Sequence, residues 1–319
     1  IHYASRYAGV PSPVPVLLLE DNAMLNADQL ADAERLDLST FVDTRRYPLD
    51  DPNSPSLVEV IESARRDLDR EGCAVLRGFL HPSVLEQART ESACMAEKSF
   101  FNTRQVNAYF TADDPSLSDD DPRRIFMTRT SGFVTRDMIT ADSLIHRLYV
   151  SKAMKSLVAR CLGEEKIYEY ADPFAGLVLN VLPDGTQQPW HYDTNEFIVT
   201  MMTQQPEAGG VFEYCPGIRT PQDENYAGVS AVIREDDATP IKRLDLRPGD
   251  LQLFKGRFSL HRVSEVQGDT PRLTAIFAYS QQPGVVGKLE RTRQLYGRVA
   301  EQHIQAEASD AERNDGLID

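Results

Sequence analysis

Basic residues are few for a chain of 319 residues: 34 lysines and arginines stand against 49 aspartates and glutamates, a net charge of −15. So acidic a chain argues against nucleic acid or an anionic membrane as partner, because both need a basic footprint. Cysteine is scarcer still. Cys73, Cys94, Cys161 and Cys215 form no CxxC pair and no dense framework, which excludes a zinc site of cysteines and suits reduced thiols in a cytoplasm. Cys73 reads as a small core residue, and Cys94 and Cys161 as packing residues of predicted helices. Nowhere is there an apolar run of about eighteen residues, so no segment is expected to span a membrane. The patch Val14 to Glu20 is short and lacks a basic flank, and no signal peptide is read there. Six histidines and one tryptophan, Trp190, complete the short supply.

What is present is an ordinary globular composition, 41% hydrophobic and 26% charged, in a chain long enough to bury a sizeable core. Residues 1–53, rich in Pro, Asp and Ala, read as an N-terminal arm. A single domain is expected over 54–299, with helical support at 54–165 and a β core at 166–285; residues 300–319 read as an acidic tail, a frayed helix and then disorder. Leu57, Val60, Ile61, Ala64 and Leu68 recur at helical spacing and stop at Gly72. A second helix is predicted from His81 to about Phe100 and a long third from about Ala141 to Leu162; Phe101 to Ile139 reads as an irregular loop or lid. After Glu165 short strand-like runs alternate with turns, VSAVI (229–233) among them, which suggests a sandwich or barrel. The fold class is mainly β with N-terminal helices.

The chemistry concentrates in two stretches. In QQPWHYDTNEF, His191 and Asp193 are two residues apart, so on a strand both side chains face one side. In RPGDLQLFKGRFSLHRV a turn and a strand deliver His261, with 67 residues between it and Asp193. Two imidazoles and one carboxylate make a facial triad with three open positions, the arrangement of non-haem Fe(II) oxygenases. Eleven residues after His261, Arg272 and Thr274 share one face of the strand in TPRLTAIFAYS. A guanidinium beside a hydroxyl is a good clamp for a carboxylate. His2, His81, His146 and His303 lie in arms or helices and carry no assigned chemistry.

These residues resemble the Fe(II)- and 2-oxoglutarate-dependent dioxygenases, whose pattern is His-x-Asp, a distant His and an Arg about ten residues later. The likeness covers roughly residues 70 to 285. It implies a double-stranded β-helix, a cupin-like jelly roll framed by N-terminal helices. It also implies Fe(II) on His191, Asp193 and His261, 2-oxoglutarate on Arg272 and Thr274, and dioxygen as co-substrate. EAGGVFEYCPGIR and DENYAG are similar to a subgroup acting on free amino acids, which contains hydroxylases and halogenases. In its halogenating members a small residue replaces the carboxylate and leaves a place for chloride; Asp193 fills that place here, so the resemblance implies hydroxylation.

The expected reaction is hydroxylation of an unactivated C–H bond of a small polar molecule, a free amino acid or derivative, with release of succinate and carbon dioxide. Desaturation or cyclisation on the same cofactors, and a non-catalytic cupin-type binding protein, are the alternatives. For the substrate, Arg129 in PRRIFMTRTSGF is the candidate for a carboxylate, though the neighbouring acidic run is an equally good partner for these arginines. Gln188 and Thr194 flank the triad, and Asp172 is a candidate for an ammonium. Glu224, Asn225 and Tyr226 are read as a lid. Trp190 is read as packing, and oligomeric state is not legible.

Overall fold

The computed structural model describes residues 37–236, 241–308 and 317–318. Most of the arm therefore lies outside the described residues. Its described end is not loose, because Phe41, Val42 and Tyr47 are buried in the main core. Disorder read into the tail also falls outside them. No helix among the described residues is long and apolar enough to cross a membrane.

Helix α1 spans Pro55–Glu71: the Ser54 hydroxyl accepts from Leu57 N, Pro55 holds the first turn, and Gly72 ends it in the left-handed region at φ 65°. Its buried stripe is Leu57, Ile61, Ala64 and Leu68, each fully buried leucine or isoleucine contributing about 1.5–3 kcal/mol. Helix α2 is shorter than expected, Leu85–Ala96, and Cys94 on it is exposed rather than packed.

The long third helix is two, α3 at Leu144–Val150 and α4 at Lys152–Leu162. Ser151 divides them: its backbone is extended (ψ 132°) while its hydroxyl accepts from Met154 N, so one residue stops the first helix and caps the second. Apolar residues run through the break because α3 is buried nearly all round and α4 buries the stripe of Met154, Leu157, Val158 and Cys161 that follows. VSAVI is not a strand either, but part of helix α5 (Tyr226–Ile233), capped by Asn225. An apolar run of that length fits both structures, and the cap decides.

Among the described residues, eleven strands build two facing antiparallel sheets. In chain order they are β1 (Cys73–Leu76), β2 (Phe100–Phe101), β3 (Gly132–Val134), β4 (Leu177–Leu182), β5 (Gln188–His191), β6 (Ile198–Gln204), β7 (Phe212–Cys215), β8 (Lys242–Leu244), β9 (Leu251–Phe254), β10 (Leu260–Val263) and β11 (Arg272–Phe277). One sheet runs β1-β9-β6-β11-β4-β3-β2 and the other β8-β7-β10-β5. From β4 onward the chain passes between the sheets as it proceeds, with only β7 and β8 consecutive in one sheet. That is the double-stranded β-helix, or jelly roll, that the sequence resemblance implied. The Phe101–Ile139 stretch is not wholly irregular: it includes β3 and a small pair, Arg104–Val106 with Met127–Arg129, whose strands are too short to show a period of two.

Alternation on β11 separates the two jobs of the large sheet. Leu273, Ala275 and Phe277 enter the main core against the helices, while Arg272, Thr274 and Ile276 face the space between the sheets. A second helical layer, α6 (Leu289–Tyr296) and α7 (Glu301–Ala308), follows the last strands. Leu295 and Tyr296 of α6 line that same space.

Candidate metal centre and its cavity

On β5 and β10, His191 and His261 are direct cross-strand partners, so they stand on one face of the small sheet with ring centroids 4.1 Å apart. Strand β5 ends at His191 and Asp193 lies just beyond it, where its N–H donates to Gly256 O at 3.2 Å. The alternation expected of a strand still holds. Trp190 and Tyr192 turn to a separate apolar cluster, and His191 and Asp193 turn inward.

Each imidazole is held by its far nitrogen. His191 Nδ1 is 2.8 Å from Pro189 O, and His261 Nδ1 is 3.0 Å from Ser259 O. A carbonyl can only accept, so both Nδ1 atoms carry a proton, and each Nε2 is turned toward the cavity as the atom a metal would take. Burial, then the facing imidazole of His261, pushes the His191 pKa down to about 3, so its ring is neutral. Burial alone would raise the Asp193 carboxyl; His261, and after it His191 and Arg291, outweigh burial and hold it below the usual range.

Asp193 Oδ1 is 3.9 Å from His191 Nε2 and Oδ2 is 3.5 Å from His261 Nε2. Oδ2 is buried without a hydrogen-bond partner. One ligand atom from each of the three residues lies within 4.8 Å of the other two. Two imidazole nitrogens and a carboxylate oxygen so close make a donor set that a cation could join, and two nitrogens and one oxygen fit a divalent iron. Gly256 completes the cradle, since a Cβ there would collide with Asp193 Oδ2.

Across the cavity, Arg272 is only 3% exposed. Its Nη1 donates to Thr274 Oγ1 at 2.8 Å, while Nε has no partner. Burial draws its pKa down to about 10. A buried guanidinium with unused donors is stabilised by an incoming carboxylate. The cavity measures about 210 Å³. Phe212, Phe254 and Val263 line one wall, and Phe133, Leu295 and Tyr296 line another.

Gln188 and Thr194 line this cavity with the triad, Arg272 and Thr274. The other substrate candidates do not. Arg129 is buried behind the wall with Phe133 (6.0 Å), its Nη2 donating to Asn102 Oδ1 and Gln294 O. Asp172 is also buried, and its carboxylate is fully engaged by the backbone N–H groups of Phe174, Ala175 and Gly287 and by His303 Nε2 at 2.9 Å. It therefore offers nothing to an ammonium, and His303 is its structural partner. Glu224, Asn225 and Tyr226 are not a lid over this cavity. Glu224 pairs with buried Arg219 at 3.0 Å, Asn225 caps α5, and Tyr226 takes the Arg123 guanidinium on its face.

Three lining or neighbouring residues had no sequence signal that set them apart: Phe110, Lys288 and Arg291. Phe110 packs edge-on against His191, with centroids 6.2 Å apart, and Lys288 and Arg291 line the cavity at the start of α6. The glycines bracketing that helix, Gly287 and Gly297, were the one available hint of a separate short element.

No curated protein sequence matches the chain. Among solved structures, the fold is similar to a prolyl hydroxylase from Trichoplax adhaerens solved with a hypoxia-inducible-factor peptide (16% identity, 82% of this chain and 96% of that one, TM-score 0.46). It is also similar to EctD from S. alaskensis solved with 2-oxoglutarate and 5-hydroxyectoine (17%, 72% and 77%, TM-score 0.44), and to the α-ketoglutarate-dependent epimerase SnoN of nogalamycin biosynthesis (16%, 70% and 84%, TM-score 0.49). All three scores are below 0.5, and the assignment stands on the family comparison: the family model of halogenase D matches residues 58–294. With a His-Asp-His cluster inside a jelly roll, the chain belongs to the halogenase D family, and with it to the Fe(II)- and 2-oxoglutarate-dependent oxygenases.

Proposed function

We propose that the chain is a hydroxylase of a small polar molecule, a free amino acid or close derivative. In this reading Fe(II) is held by Nε2 of His191, Nε2 of His261 and the Asp193 carboxylate, and the distal carboxylate of 2-oxoglutarate rests on Arg272 and Thr274. The observation that carries it is the Asp193 carboxylate itself, turned toward both imidazoles in the space that Gly256 leaves open. A halide would need that place. The family's name alone therefore does not make this chain a halogenase.

Bound iron and oxoglutarate supply the oxidising power: oxoglutarate and dioxygen become succinate and carbon dioxide, and one oxygen atom enters the C–H bond. The protein does the rest. Proton-bearing Nδ1 atoms tied to Pro189 O and Ser259 O fix both imidazoles. The apolar walls keep water from the reacting carbon, and Gln188 and Thr194 face the substrate. Arg129 acts at one remove, holding the α6 turn through Gln294 O. The acidic chain and its free thiols suit a cytoplasmic enzyme.

Succinate formation from an amino-acid panel, with and without iron and oxoglutarate, tests the reading. Succinate that requires both, and a product heavier by one oxygen, supports it. A product lighter by two hydrogens points to desaturation or ring closure. An iron–oxoglutarate charge-transfer band that never couples to dioxygen use points to a binding protein.

A further inference from the structure

Behind the metal strand, on the side turned away from the cavity, one arginine gathers four parts of the chain. Arg219 is 1% exposed. Its guanidinium carbon lies 3.8 Å from the centroid of the Tyr192 ring, and Tyr192 is the residue between His191 and Asp193. Its Nε donates to Arg257 O at 2.7 Å. Its Nη1 donates to Glu224 Oε2 at 3.0 Å and to Ile318 O at 3.1 Å.

Two of these contacts lead to Asp193 by separate routes. Tyr192 is buried, its ring lies against the guanidinium, and its N–H donates to Ala108 O at 3.2 Å. The peptide that joins the two inward-facing residues is therefore held from behind. On the other route, Arg257 follows Gly256, whose carbonyl accepts the Asp193 N–H and whose missing side chain leaves room for Asp193 Oδ2. Arg257 is itself fully buried, and its Nη1 donates to Thr194 O at 3.2 Å. Arg219 thus braces the chain on both sides of Asp193 without entering the metal site. It is a positioning residue, of the outer kind that orients metal ligands.

The fourth part is the tail. Ile318 N–H donates to Glu224 Oε1 at 2.7 Å, while Ile318 O accepts from Arg219. The paired side chains take both polar groups of one residue, as a neighbouring strand would. Leu317 is buried, and Ile318 packs against the apolar cluster that contains Trp190 and Tyr192. A buried guanidinium–carboxylate pair is costly unless its remaining donors and acceptors are satisfied. The peptide groups of Ile318 supply one partner of each kind.

We infer that residues 317–318 seat the Arg219–Glu224 pair, that Arg219 in turn positions Asp193 and His191, and that docking of the tail is thereby coupled to iron binding. The inference rests on the oxygenase reading above. Coupling of this kind is reciprocal: whatever factor the docked tail adds to iron affinity, bound iron adds to docking of the tail.

The test is anaerobic titration of Fe(II) into the full chain with oxoglutarate present, read by visible absorption. Beside it, hydrogen exchange is measured at the Asp193, Ile318 and Leu273 amides with and without the metal. Ile318→Pro removes the N–H that Glu224 accepts, and Leu317→Lys expels the buried leucine; both leave Arg219 and Glu224 in place. Each is expected to weaken iron about 5- to 150-fold and to speed exchange at Asp193. Leu273, buried in the central strand of the large sheet, should exchange as in the parent. Iron should slow exchange at Ile318 by the same factor. Arg219→Lys, which keeps the charge opposite Glu224 but not the fork, should also weaken iron and shift the absorption band. Unchanged iron affinity or unchanged exchange at Asp193 in both tail variants would overturn the inference. So would exchange at Leu273 rising in step with Asp193, which marks general loosening, or an Ile318 amide indifferent to iron. A parent protein that takes up no iron overturns the oxygenase reading instead; exchange at Asp193 in the metal-free variants then still decides whether the tail holds that residue.

Discussion

At the floor of the cavity, His191 and His261 are paired in register on adjacent strands, and Arg272 and Thr274 stand two residues apart on the opposing sheet. At the rim, Phe110 belongs to a strained loop, and Lys288 and Arg291 to a helix of eight residues and its cap. Floor positions follow from hydrogen-bonded ladders, in which a slip of one residue would turn every side chain away. Rim positions depend on a few buried polar contacts: Asn107 for the loop, and Asp172 with His303 for the turn at Gly287 and the start of α7. Chemistry common to a family sits well on the floor, and selection among substrates sits well on the rim.

The floor breaks most completely at Asp193. Asp193→Ala is expected to abolish coupled turnover while the protein stays folded, because the residue contributes no core packing; product analysis beside circular dichroism checks both halves. Full turnover in that variant would refute the assignment of Asp193. Next in size, Arg272→Leu should weaken oxoglutarate by about 2–5 kcal/mol, the loss expected when one member of a buried charge pair is removed. Without oxoglutarate the same variant should melt no lower than the parent, since a buried guanidinium with an unpartnered Nε is itself a cost. Oxoglutarate titration and a melting curve read the two effects separately.

The same contrast governs what the amino-acid sequence disclosed. His191, Asp193, His261, Arg272 and Thr274 were legible because strand geometry turns sequence spacing into position, and the family pattern repeats that spacing. Asp172 was not, since an acid before a proline looks alike whether it faces a ligand or is saturated by three N–H groups and His303. Glu224 and Arg129 misled for a related reason: the Ile318 N–H that Glu224 accepts from and the Gln294 carbonyl that Arg129 donates to are distant backbone groups that no local motif announces. Helix α5 was hidden by its own apolarity, and the break at Ser151 by the apolar residues on either side of it. Phe110 owes its place beside His191 to a left-handed φ of 57°, which leaves no trace in the residue's identity.

The rim can be loosened without touching the floor. Asp172→Ala should cost about 3–5 kcal/mol of stability by stranding buried His303 and the N–H groups it serves, measured by urea unfolding. Burial works to raise the Asp172 carboxyl, but His303 and the N–H groups of Ala175 and Phe174 overcome it and hold the pKa below its ordinary value. A carboxyl depressed in the folded state stabilises above its unfolded pKa, and the contribution is lost as pH falls through the folded pKa. Its share should therefore persist from neutral pH down to the ordinary carboxylate range and disappear only in stronger acid, a loss that the Asp172→Asn variant should not show. The smallest effect belongs to the segment once read as a lid. Asn225→Ala removes the α5 cap and should cost about 1 kcal/mol, with substrate and oxoglutarate affinities unchanged; a shift in either would return that segment to the mouth of the site.

The most direct test of the centre itself is anaerobic titration of Fe(II) into the parent protein and its His261→Ala variant in the presence of 2-oxoglutarate, followed by visible absorption. The account predicts one iron per chain with a charge-transfer band in the parent, and neither in the variant. A His261→Ala protein that binds iron in the same proportion, with the same band, would contradict it.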